Sequence, residues 1–130
     1  MKRTVKGKIL ILDDDESILK LLTAMLKIVE YSTKLTKDGK EFMEAFSESL
    51  SNEQPYSALI LDLSLPDGRG GKELISEIRQ LDSKIPVFVS SGHAGDPIIL
   101  KPQEFGFNAA IIKPFTLAEL KNILDLNLKG

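Results

Sequence analysis

Short apolar runs alternate along this chain with stretches in which apolar residues recur every third or fourth position. Lys8-Ile9-Leu10-Ile11-Leu12 is a continuous apolar run that stops at Asp13. A run of this kind suits a parallel strand covered on both faces. Ile18, Leu21, Leu22, Met25, Leu26 and Val29 then share one helical face. Tyr31 to Leu35 predicts a weaker second strand. Asp38-Gly39 breaks the chain before a second helix marked by Phe42, Met43, Phe46 and Leu50, and Ser51 to Pro55 is a polar loop. Ala58-Leu59-Ile60-Leu61 predicts the third strand, ending at Asp62. A loop with Pro66, Gly68, Gly70 and Gly71 leads to a third helix carrying Leu74, Ile75, Ile78 and Leu81. Pro86-Val87-Phe88-Val89 predicts the fourth strand and runs into Ser90-Ser91-Gly92. Ala109-Ala110-Ile111-Ile112 predicts the fifth, ending at Lys113-Pro114. Thr116 can cap a last helix with Leu117, Leu120, Ile123, Leu124 and Leu128.

Repeated alternation of strand and helix predicts an α/β fold, a parallel sheet with helices on both faces. Right-handed crossovers make it doubly wound. The expected architecture is flavodoxin-like, with strand two at one edge followed by strands one, three, four and five. The fourth helix is the irregular one. Asp96-Pro97 makes a good cap and first turn, but Pro102 falls inside the helix that follows. A proline there removes a backbone donor and clashes with the preceding turn, at a cost of about 3 kcal/mol in a regular helix. Helix four is therefore expected to be short or broken near Lys101.

Composition adds limits. The chain has 130 residues, 42% hydrophobic and 28% charged, which fits one compact domain with its own core. It has no cysteine, so disulfides and thiolate metal sites are excluded. The net charge of −2 gives no bulk affinity for nucleic acid, and direct binding of nucleic acid is not expected. No apolar run reaches membrane-spanning length, and the basic start lacks the apolar core of a signal peptide. A cytoplasmic location is the expectation.

In doubly wound folds ligands bind at the carboxyl ends of the strands. Those ends carry Asp13, Asp14 and Asp15 after strand one, Asp62 after strand three, Ser91 after strand four and Lys113 after strand five. Strands one and three are neighbours in this order, so Asp13, Asp14 and Asp62 would share a pocket. Crowded carboxylates repel, and a divalent cation removes the conflict. With oxygen donors and no cysteine, Mg²⁺ fits best, with Mn²⁺ the alternative. A carboxylate can act as nucleophile and form an aspartyl phosphate. The charge that spreads over phosphoryl oxygens needs a metal and a fixed cation, which Lys113 can supply, with Ser91 offering a hydroxyl. A single aspartate after a strand is usually a turn residue or a cap. Three in a row, matched by another after strand three, favour a site.

At these residues the chain resembles the receiver domain of response regulators in two-component signalling. The resemblance runs from Lys8 to about Leu128 and rests on Ile9-Leu10-Ile11-Leu12-Asp13-Asp14, Asp62 with Pro66 and Gly70, Ser91-Gly92 and Lys113-Pro114-Phe115. It implies that Asp62 is the phosphoacceptor and Asp14 the direct metal ligand, with Asp13 acting through water and Ser64 adding its backbone carbonyl. Ser91 is implied as the switch hydroxyl and Lys113 as the phosphate-contacting lysine, with a cis bond before Pro114. Ser64 and His93 occupy the two positions that modulate phosphate lifetime. The implied partners are a histidine kinase or a histidine phosphotransfer domain, and a downstream protein that the sequence does not name.

One departure lies on the output side: the strand-five position that usually carries a switch aromatic holds Ala110. Output is expected to proceed without the rotation of such a ring. A haloacid-dehalogenase-like phosphatase would need an acid two residues after its nucleophile, where this chain has Ser64. A flavin module would need a phosphate-cradling loop where Asp13-Asp14-Asp15 would repel phosphate. A receiver used only for docking remains an open alternative. The expected organisation is a lead or linker over residues 1–7 and a receiver over residues 8–130, with no output domain after the last helix.

Overall fold

The computed structural model describes residues 5–66 and 68–128. Of the expected lead, residues 1–4 lie outside the described residues, as do the last two residues of the expected domain. Five strands, β1 (Gly7–Leu12), β2 (Tyr31–Thr36), β3 (Ala58–Asp62), β4 (Val87–Ser91) and β5 (Ala109–Ile112), form one sheet. All pairs are parallel and the order is β2-β1-β3-β4-β5. The connections are α1 (Glu16–Ile28), α2 (Gly39–Ser49), α3 (Gly71–Leu81), α4 (Pro97–Leu100) with a 3₁₀ turn over Pro102–Phe105, and α5 (Leu117–Asn127) closes the described chain.

Strand pleating explains why the apolar runs are continuous. Successive side chains point to opposite faces. Ile9 and Ile11 of β1 enter a core with Leu19, Leu22 and Leu26 of α1 and Leu120 and Leu124 of α5. Leu10 and Leu12 enter a second core with Phe42 and Phe46 of α2, Leu74 and Ile78 of α3 and Ile98 and Ile99 of α4. Both faces are covered, so strand residues on either side must be apolar.

The boundaries shift where the ladder continues. Asp62 and Ser91 are the last residues of β3 and β4, not the first beyond them, because Leu63 N–H donates to the Ser90 carbonyl and Lys113 N–H to the Ser91 carbonyl, both at 2.8 Å. At the other end, Gly7 already belongs to β1, and Lys6 N–H donates to the Glu30 carbonyl at 2.7 Å. On α1 the buried stripe is Leu19, Leu22 and Leu26, continued by Val29 at the C-cap. Leu21, expected on that face, is 40% exposed because it sits one position, about 100°, off the stripe. Leu50 and Leu81 end their helices on the outside.

The expected break in helix four is present. Asp96 caps α4 by accepting the Ile98 N–H at 2.9 Å, and Pro97 opens the turn. The helix stops at Leu100, and Lys101 leaves helical geometry at φ −137°, ψ 65°. Pro102 has no N–H to continue the ladder and starts the 3₁₀ turn instead. That turn ends at Gly106, whose φ of 97° is left-handed. A Cβ there would also stand 3.0 Å from Ile75 Cγ1. Gly106→Ala is expected to lower stability by about 1–2 kcal/mol, read as a lower denaturant midpoint. An unchanged midpoint would show that the turn does not depend on glycine.

Candidate functional site

The carboxyl ends of β1, β3 and β5 bring three charged side chains into contact. Asp13 follows β1 and its side chain is 1% exposed. Its backbone N–H donates to the Thr36 carbonyl at 3.1 Å. One carboxylate oxygen, Oδ1, accepts the Asp15 N–H at 2.9 Å. The other, Oδ2, accepts Lys113 Nζ at 2.9 Å. The same ammonium stands 3.4 Å from Asp62 Oδ2, so Lys113 bridges the two carboxylates. The Asp62 Oδ1 atom faces the Ser64 N–H at 3.5 Å. The Lys113–Pro114 bond is cis.

The sequence reading grouped three consecutive aspartates, and the structure divides them. Asp13 is buried against Lys113, Asp14 is exposed, and Asp15 caps α1 by accepting the backbone N–H and hydroxyl of Ser17 at 2.9 and 2.6 Å. Asp13, Asp14 and Asp62 each offer a carboxylate oxygen, and these atoms lie within 4.8 Å of one another. Three hard oxygen donors this close together fit a Mg²⁺-type ion. Ser91 is buried, and its hydroxyl accepts the His93 N–H at 3.0 Å. Ser64 and His93 are both exposed, on the loops after β3 and β4.

The charges are unevenly balanced. Burial pushes the Asp62 carboxyl above its ordinary value of 3.8; Lys113 opposes this and the neighbouring Asp13 adds to it. Burial works against the charge of Lys113, but its hydrogen bond to Asp13 and the field of Asp62 outweigh burial and raise it above 10.5. Lys113 is thus held firmly as a cation, and Asp62 is the carboxylate that a further cation would relieve.

One bracing residue was not anticipated. Thr36 ends β2, is 1% exposed, and donates its hydroxyl to the Ile11 carbonyl at 2.8 Å while its own carbonyl takes the Asp13 N–H. It fixes the backbone from which Asp13 projects. A threonine at the end of a weak edge strand carries no sequence signal for that role.

Known proteins share this fold and sequence pattern over most of the chain. The model of the response regulator receiver domain matches residues 9–125. The chain belongs to that family, the signalling domains of two-component systems. It is 33% identical to the transcriptional regulatory protein YkoG of Bacillus subtilis over 88% of this chain and 48% of that protein. It is 30% identical to the two-component response regulator ARR12 of Arabidopsis thaliana over 89% of this chain and 19% of that protein. The chain thus spans about half or less of these relatives. Among solved structures, it superposes on the receiver domain of the sensor histidine kinase PA1611 from Pseudomonas aeruginosa PAO1, which has a magnesium ion coordinated in its active-site cleft. That match has a TM-score of 0.76 and 26% identity, over 93% of this chain and 96% of the other. The non-phosphorylated HemR receiver domain from Leptospira biflexa matches with a TM-score of 0.77 and 29% identity, over 96% of both chains. No helix among the described residues is long and apolar enough to cross a membrane.

Proposed function

We propose that this chain is a phosphoryl-accepting switch in which Asp62 takes a phosphoryl group from a phosphohistidine of a histidine kinase or phosphotransfer protein. The observation that carries the reading is the Lys113 ammonium lying between the Asp13 and Asp62 carboxylates, whose oxygens lie within 4.8 Å of one from Asp14. Asp13, Asp14, Asp62 and the Ser64 carbonyl would hold Mg²⁺, or Mn²⁺ in its place. The bound ion supplies positive charge to the phosphoryl oxygens during transfer. An Asp62 carboxylate oxygen attacks phosphorus, a new O–P bond forms, and the P–N bond of the donor breaks with its electrons leaving on the imidazole. No base is required, because the attacking group reacts as a carboxylate and has no proton to lose in the step. Lys113 then contacts the phosphate. The Ser91 hydroxyl, which here accepts from His93, turns to donate to it. Ser64 and His93 flank the approach of water and set how long the phosphoryl group persists. The rearranged surface changes the binding of a downstream partner. The phosphoryl group is a signal here rather than a turnover product, apart from self-catalysed transfer and loss.

Intact mass after incubation with Mg²⁺ and a small acyl-phosphate donor tests this directly. One added phosphoryl group is expected on the native chain and none on Asp62→Asn. An adduct on both would move the acceptor elsewhere, and an adduct on neither would leave the docking-only receiver.

A further inference from the structure

Helix four is divided, and its two parts are fastened to different elements. The upper part follows the end of β4. His93 N–H donates to Ser91 Oγ at 3.0 Å, and Asp96 N–H donates to the His93 carbonyl at 3.1 Å. Ile98 and Ile99 are buried below, and Leu100 is 66% exposed.

The lower part is fastened to α3 by Arg79. Its Nε donates to the Gly106 carbonyl at 2.9 Å and Nη2 to Asn108 Oδ1 at 3.0 Å. Nη1 donates to the carbonyls of Asp82 at 3.2 Å and Ile85 at 2.8 Å. Asn108 Oδ1 also accepts the Val87 N–H at 2.9 Å, and the Asn108 carbonyl accepts Gln103 Nε2 at 3.1 Å. Phe107 is 2% exposed and packs at Gly71, where a Cβ would lie 3.6 Å from the Phe107 ring. These Arg79 acceptors are carbonyl and amide oxygens set around a planar fork. A lysine ammonium cannot reproduce that pattern. Between the two parts stands Lys101, outside helical geometry.

We infer that the Arg79 clamp splits helix four into a movable upper turn and a fixed lower one, hinged at Lys101, so that the response to phosphate is confined to residues 93–100. The inference rests on the phosphoryl reading above for its trigger. A Ser91 hydroxyl that turns to the phosphate gives up its orientation toward the His93 N–H and releases the loop that carries Asp96. None of the Arg79 acceptors belongs to that loop. Leu100 is the exposed group that moves. Phe105, on the clamped turn and 42% exposed, is the one that stays.

Amide exchange before and after phosphorylation, with the adduct verified by mass, reads the two parts separately. Leu100 N–H donates to the Asp96 carbonyl and Lys101 N–H to the Pro97 carbonyl, while Phe107 N–H donates to the Pro102 carbonyl and Asn108 N–H to the Val87 carbonyl. On phosphorylation the first two are expected to exchange about tenfold faster, and the second two to change by less than about twofold. In Arg79→Lys the change should spread to Phe107 and Asn108. Equal change of both pairs in the native chain would overturn the division. A second comparison needs no phosphate. In unphosphorylated Arg79→Lys, Phe107 and Asn108 should exchange about tenfold faster with Leu100 unchanged, and joint loosening would overturn the clamp. A missing adduct would sink the phosphoryl reading, and this second comparison would still decide for or against the clamp.

Discussion

Lys113→Met is expected to bind Mg²⁺ about tenfold more tightly than the native chain and to take up phosphoryl groups about a hundredfold more slowly. The two effects have opposite signs because one ammonium serves two purposes. Before phosphorylation it lies 2.9 Å from Asp13 and 3.4 Å from Asp62, where it neutralises the carboxylates that a metal ion would use. Removing it leaves two poorly solvated negative charges together, with side-chain exposures of 1% and 15%. Without metal the variant should lose about 2–4 kcal/mol of stability, since breaking a buried ion pair strands the charge that remains. A divalent cation should restore most of that loss. Phosphoryl uptake should stay slow even at saturating Mg²⁺, because a fixed cation no longer meets the charge on the transferring oxygens. Calorimetric titration and adduct formation over time separate the two. Weaker Mg²⁺ binding by the variant would mean that Lys113 organises the carboxylates for metal rather than competing with it.

Asp62→Asn should melt several degrees above the native chain near neutral pH when metal is absent. Burial raises the Asp62 carboxyl above its ordinary 3.8, and Asp13 beside it adds to the shift. A carboxyl raised in the folded state favours folding while it is protonated. That contribution is full below the unfolded value and is lost as pH rises through the raised folded value. The native chain should therefore fall behind Asp62→Asn as pH increases from about 3.8 toward neutrality. Mg²⁺ should close the gap by stabilising the native chain and hardly affecting the variant. A native chain that melts higher than Asp62→Asn without metal at neutral pH would contradict this assignment of the strained charge.

What could be read from the sequence follows from which interactions leave a local pattern. Strand burial on both faces forces continuous runs such as Ile9 to Leu12, so element order and sheet type were legible. Asp13, Asp14, Asp62 and Lys113 were legible as a group because the fold gathers strand ends at one edge, while the Ser91 hydroxyl accepts the His93 N–H instead. Pro102 announced the break at Lys101, since a missing backbone donor acts wherever the chain goes. Helix rotation was harder to read. Leu21 and Leu19 have the same hydrophobicity, and only packing on the sheet exposes one and buries the other. Least legible were contacts made through main-chain oxygens. Thr36 under Asp13, and Arg79 across Gly106, Asp82 and Ile85, engage carbonyl groups that every residue possesses. No spacing of residue types encodes such partners.

The order of the strands along the sheet also bears on how the chain assembles. Asp13 and Asp62 meet when β1 pairs with β3, whereas Lys113 arrives only with β5, an edge strand and the last of those described. Any partly folded state in which β5 has not docked therefore holds two adjacent carboxylates without their ammonium. Such a state has more need of a divalent cation than the native one. Mg²⁺ should then stabilise it as well as the native fold. Where such a state makes up part of the denatured population at the midpoint, the rise in melting temperature with Mg²⁺ falls short of what the native Kd alone would give, because linkage credits only binding that the denatured side lacks.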